Sequence, residues 1–224
     1  MSSCSAPKAN NERLKLRREL LKWESFDSQG IVEFSFMGLS LRKMFSAAKN
    51  HAELRLDIFD GGIMGAGASP LISFYSGDYI AFKSPYLPML ELLNPLEMVP
   101  VHSLEFFSNA DSLLAHYGDT IILDKMIVID SVQISFKSDY RLDKVYDPKT
   151  LSQLKAVYGS KGDLQELQMQ GSDNMSIKLI FDSISYIQPE IVPLPKPASS
   201  RGAEGLKSLE ELDMKKLLKD FFKK

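Results

Sequence analysis

The sequence predicts a mainly β protein with helical tails and one or two helices inserted in the body. Three observations carry this. Residues 53–59 alternate strictly, with Leu54, Leu56 and Ile58 on one side and Glu53, Arg55 and Asp57 on the other, the period of a half-buried strand. Two apolar runs, 71–75 and 79–83, flank Ser76-Gly77-Asp78 and read as a hairpin. Further strand-like runs follow over 120–136, 164–169 and 176–187.

Taken in order, residues 1–10 are rich in Ser, Ala, Pro and Asn and read as a disordered start. Residues 11–23 read as a short helix, with Leu14, Leu20, Leu21 and Trp23 as its apolar side. Ser28-Gln29-Gly30 reads as a turn, 31–36 as a strand, and Gly38 as its break. Residues 39–49 place Leu41, Met44, Phe45 and Ala48 at helical spacing, with an irregular strand as the competing assignment. The prolines at 85 and 88 stop a central strand, because each removes a ladder donor. Residues 103–116 form the expected inner helix, with Gly118 as its C-cap. Pro148 opens a second expected helix that carries Leu151, Leu154, Ala156, Val157 and Tyr158 and ends at Gly159.

The expected organisation is a basic N-terminal arm (1–23), a β-rich body (24–188), a Pro/Gly-rich linker (189–207) and an amphipathic C-terminal helix (208–224). That last helix begins with a capping box, Ser208 and Glu211. Met214, Leu217, Leu218, Phe221 and Phe222 form its apolar side and four lysines its basic side. It suits an anionic membrane, a groove on a partner, or its own body or a neighbouring subunit.

The chain has 224 residues and a formal net charge of −2. Residues 1–22 carry six Lys/Arg against two Glu, and residues 196–224 carry eight against five acids. The middle is therefore strongly acidic. Polyanion contact belongs to the ends, through Lys8, Arg13, Lys15, Arg17, Arg18 and Lys22 above all; the alternative is that basic tails serve solubility. The single cysteine, Cys4, forms no internal disulfide and no cysteine metal site, which suits a reducing, intracellular setting. No apolar run reaches eighteen residues, and no secretory signal pattern opens the chain. The three histidines lack ligand spacing, and neither a phosphate-binding loop nor a nucleophile elbow occurs. The expectation is a protein that is not an enzyme and needs no cofactor or metal.

One pattern points to a family. The strand 53–59 ends in Leu56-Asp57-Ile58-Phe59-Asp60 before Gly61-Gly62. Gly118 follows 58 residues after Asp60, ahead of a β-branched run. Together with strand 31–36, the aromatic-rich Tyr79–Tyr86 stretch and helix 103–116, this order resembles the 30K superfamily of plant-virus movement proteins over about residues 30–140. The resemblance implies an antiparallel β-sandwich of the jelly-roll kind in which Asp60 and Gly118 are architectural. It implies binding of single-stranded RNA or DNA, self-association into a homo-oligomer, and transport through plasmodesmata. The location implied is host cytoplasm and plasmodesmata, peripheral to membrane. A viral matrix or coat-like protein, and a cellular adaptor acting through residues 208–224, are the alternatives.

Overall fold

The computed structural model describes residues 6–36, 39–59, 69–85, 106–171 and 176–196. Among them, helix α1 (Ala6–Glu24) leads into five strands, β1 (Ser25–Phe36), β2 (Leu39–Asn50), β3 (Glu53–Phe59), β4 (Ile72–Ser76) and β5 (Ile80–Lys83). Helix α2 (Ala110–Asp124) then precedes β6 (Met126–Ile129), β7 (Val132–Phe136), β8 (Leu142–Asp147), β9 (Ser152–Tyr158), β10 (Leu164–Gln170) and β11 (Ser176–Ser185).

All eleven strands lie in one antiparallel sheet, in the order β5-β4-β3-β2-β1-β11-β10-β9-β8-β7-β6. The sheet is thus two meanders joined where β1 pairs with β11. The mainly β, antiparallel expectation with helices is right. The jelly-roll sandwich is corrected: strands pair with their chain neighbours, and no Greek-key crossing occurs among the described residues.

The buried residues Leu16, Leu20 and Trp23 of α1 and Ala110, Leu113 and Ile121 of α2 share one core with Val32, Phe45, Val145, Leu154 and Leu167 of the sheet. Because the helices meet strands from both meanders in that core, the sheet wraps around them, as its intrinsic twist favours. Away from the core the strands carry charge in register. Glu33 lies opposite Arg42 and Lys178 and pairs with them at 3.5 and 3.3 Å.

Several local expectations are corrected. Residues 39–49 belong to β2, where Phe45, Ala47 and Lys49 are buried in alternation. A lysine on the buried face hid the period of two. Its Nζ donates to the carbonyls of Glu24, His51 and Phe107 at 3.3, 2.6 and 3.3 Å, which satisfies all three of its donors. The expected helix after Pro148 is β9, in which Leu154 and Ala156 are buried. Pro148 sits in a turn whose Asp147 carboxylate accepts from the Lys149 N–H at 2.8 Å and the Thr150 hydroxyl at 3.0 Å. Ser28-Gln29-Gly30 is no turn but the middle of β1, at a β-bulge: Gln29 pairs with Ser183 and Gly30 with Phe181, leaving Asp182 as the extra residue.

Helix α2 starts and stops later than expected. Asn109 caps it by accepting from the Ser112 N–H at 2.8 Å, and Lys125, in the left-handed region at φ 56, ends it. Gly118 is therefore not a cap. It is buried inside α2 against α1, where an added Cβ would lie 3.1 Å from Leu114 Cδ1 and 3.4 Å from Arg13 Nη2. Asp60 and the helix expected over 208–224, with Met214, Leu217, Leu218, Phe221 and Phe222, lie outside the described residues.

The N-terminal arm is a docked helix. Arg13 pairs with Asp119 at 2.5 Å and Arg17 with Asp111 at 2.6 Å, both across to α2. Residues 189–196 of the expected linker are laid on the sheet. Pro189 accepts from Asn50, Val192 from Arg55 and Leu194 from Tyr79, and Leu194 is buried beside Tyr75 and Ala81.

Candidate functional site

The spacing of α1 produces the site. Leu16, Leu20 and Trp23 enter the core, while Glu12, Lys15, Glu19 and Lys22, three and four apart, form a stripe along its flank. That stripe faces the β7–β8 loop (137–141) and the β9–β10 loop (159–163). Between them lies an open cleft of about 680 Å³.

Both loops are tight. In the first, the Lys137 N–H donates to the Arg141 carbonyl at 2.8 Å and the Tyr140 N–H to the Lys137 carbonyl at 2.9 Å, with Tyr140 at φ 70. In the second, the Gly159 N–H donates to Asp163 at 2.9 Å and the Gly162 N–H to Gly159 at 3.0 Å. Gly162 has φ +84, where a side chain is strained.

The cleft is cationic. Lys15, Arg18, Lys22, Arg141 and Lys161 line it against Glu12, Glu19 and Asp139. Each acid is engaged. Glu12 accepts from the Tyr140 hydroxyl and pairs with Lys15 at 3.4 Å. Glu19, 10% exposed at its side chain, pairs with Lys22 at 2.8 Å and Arg18 at 3.8 Å. Asp139 holds Arg141 through Nε at 2.8 Å and Nη2 at 2.5 Å. Lys161 has no ion-pair partner within 4.0 Å among the described residues.

These contacts set the ionisation. The Tyr140 hydroxyl, then Lys15, holds the Glu12 carboxyl below its usual range. The Arg141 guanidinium does the same for Asp139. Burial, helped by Glu12, pushes Tyr140 up to about 12, and burial also raises Tyr158 and Tyr186. Near neutral pH the two acids are ionised and the three phenols neutral.

Under the cleft, between α1 and strands β9–β11, lies an apolar crevice. Trp23, Phe26, Leu164, Leu167, Phe181 and Ile184 line it, together with Glu19 and Lys22. Its free space is about 10 Å³, room for one water at most. Lys22 lies 5.8 Å from the Tyr186 ring, and Leu21, Tyr186 and Ile187 remain exposed.

The six expected basic residues thus divide. Lys15, Arg18 and Lys22 line the cleft, Arg13 and Arg17 are paired to α2, and Lys8 lies in α1. The reading from sequence missed Glu12, Glu19, Arg141 and Lys161. The alternating signs of Glu12, Lys15, Glu19 and Lys22 at helical spacing were a visible signal of an ion-paired flank. Nothing local tied them to a loop more than a hundred residues away. Among the described residues no three His, Cys, Asp or Glu gather to hold a metal ion, and no helix is long and apolar enough to cross a membrane.

No family model matches the chain, and no curated protein does. Solved structures resemble its course, three of them as follows. A LolA superfamily protein from Nitrosomonas europaea is 8% identical, with a TM-score of 0.39 over 83% of this chain and 94% of that one. A DUF1329 family protein from Desulfovibrio piger is 7% identical, with a TM-score of 0.36 over 80% and 92%. A domain assigned to outer membrane lipoprotein sorting, from Vibrio parahaemolyticus, is 12% identical, with a TM-score of 0.38 over 79% and 92%. With the meander sheet in place of a jelly roll, the movement-protein resemblance is corrected. Single-stranded nucleic acid as partner, plasmodesmal transport and a host-cytoplasm location fall with it. So do the viral coat and matrix alternatives.

Proposed function

We propose that the protein is a non-catalytic binding protein for an anionic amphiphile. The charged head lies in the cationic cleft, and the apolar part enters the crevice beneath α1. One observation carries this: Glu19 and Lys22 line both spaces, so the polar cleft and the apolar crevice adjoin across this ion pair. A cleft of about 680 Å³ also lies within the size of small-molecule sites. The crevice is closed in the form described, so an apolar tail enters only as α1 shifts from β10 and β11. Tyr186, which lines the crevice and is 41% exposed, gives the tail an apolar approach.

Trp23 is the single tryptophan of the chain and lines the crevice, so its emission reports occupancy. Titration with dodecanoate and with dodecyl phosphate, below their micelle concentrations, should change Trp23 emission saturably. Dodecyltrimethylammonium should not. An equal response to the cationic detergent, or no saturable response to either anion, would refute the reading.

A further inference from the structure

The β7–β8 loop side of the cleft holds a donor with nothing to bond. Asp139 fixes the Arg141 guanidinium through Nε and Nη2, and the group stacks 4.6 Å from the Tyr158 ring centroid. Its Nη1 is buried and has no hydrogen-bond partner among the described residues. A buried donor left unmade is unfavourable, more so on a charged group, and asks for an explanation. The missing side chain of Gly162 is the second half of the observation. A Cβ there would lie 2.9 Å from Arg141 Nη1, so the glycine sits directly against that nitrogen. Lys161, next in the chain, is a cation without an ion pair and lines the same cleft.

We infer that Arg141 Nη1, Gly162 and Lys161 form an oxyanion seat, the point at which the ligand's head is recognised; this rests on the binding role proposed above. The phosphate or carboxylate oxygen of the ligand takes the orphaned Nη1 donor as the 159–162 turn lifts from it, and Lys161 adds charge. Asp139 is a positioning residue: its Oδ2 takes the Nε–Nη2 edge of the guanidinium and leaves Nη1 as the donor for the ligand. A guanidinium held in this way is directional, whereas a lysine at the same place supplies charge alone. The seat therefore depends on the shape of residue 141 and not merely on its charge.

Isothermal titration of the full chain tests this with dodecyl phosphate, dodecanoate and inorganic phosphate, on wild type, Arg141→Lys, Arg141→Gln and Lys161→Gln. Thermal melts of every variant confirm folding. Arg141→Lys should weaken dodecyl phosphate at least ten-fold, with Arg141→Gln at least as weak. Lys161→Gln should weaken it only a few-fold, with a shallower salt dependence. Inorganic phosphate that binds wild type as tightly as dodecyl phosphate, with the same Arg141 dependence, supports the seat and names a free oxyanion as its ligand. Weak inorganic phosphate with tight dodecyl phosphate supports the seat and names a headgroup. Amphiphile binding by wild type that both Arg141 variants retain overturns the seat and leaves the binding role standing. No binding of any anion by wild type overturns both.

Discussion

Lys49 is 2% exposed, and burial lowers its amine from the ordinary 10.5 to about 8, with Glu24 opposing the shift. The sign follows from linkage. Between pH 8 and 10.5 the unfolded chain holds this proton and the folded chain has released it, so stability rises with pH across that window. From pH 8 to 9.5 the contribution is about 2 kcal/mol. Urea melts of wild type at pH 8 and 9.5 should show this rise, and Lys49→Met should not. The buried tyrosines oppose it only at higher pH, since their raised values make stability fall as pH climbs past 10. A flat wild-type profile would show the amine to be ordinary. Gly118 supplies a second test at this scale. The atoms nearest its missing Cβ belong to the ends of two flexible side chains, Leu114 and Arg13. Gly118→Ala should therefore keep most of the roughly 1 kcal/mol that alanine adds in a helix interior. A C-cap glycine would give the opposite sign, because alanine is strained in the left-handed region. Denaturant midpoints of the two proteins distinguish the cases.

At the level of elements, the strands with clean alternation were legible and those with a compromised face were not. β3 reads from Leu54, Leu56 and Ile58 alone. β2 does not, because Lys49 stands where a hydrophobe belongs, and what makes it tolerable is three carbonyls from other segments. α2 was cut short at Gly118 because a glycine before Thr120-Ile-Ile-Leu looks like a stop followed by a strand. Close packing on α1 keeps the helix running to Asp124. The cleft was half legible: its α1 flank lay in one stretch of sequence, and its loop side required the sheet. The edge strand β6 has its own consequence. Met126 and Val128 are exposed at 46% and 54% on a strand that pairs, among the described residues, only with β7, an edge that invites non-specific pairing. Val128→Lys should reduce light scattering on heating and change stability by no more than about 0.5 kcal/mol. Unchanged scattering would show that this edge is not the sticky one.

Across the whole molecule, two meanders meet along a single seam. Gly30 lies in that seam, and a Cβ there would stand 1.9 Å from the Ile180 carbonyl oxygen, which is backbone and cannot step aside. Gly30→Ala should therefore cost about 3 kcal/mol by parting β1 from β11, the upper end of overpacking. A loss below 1 kcal/mol, measured by urea unfolding, would mean that the seam is slack.

The same seam orders the folding reaction. Within each meander every strand pairs with its neighbour in the chain, so the contacts are local in sequence and close quickly. Asp27 and Ser185 meet only after more than half of the chain has been drawn together. The last structure to form is then the joint between β1 and β11. Until it forms, two long strands present bare ladders to solvent, each a template for the other strand of a different molecule. Refolding yield should accordingly fall as protein concentration rises, even though the finished molecule has both strands paired.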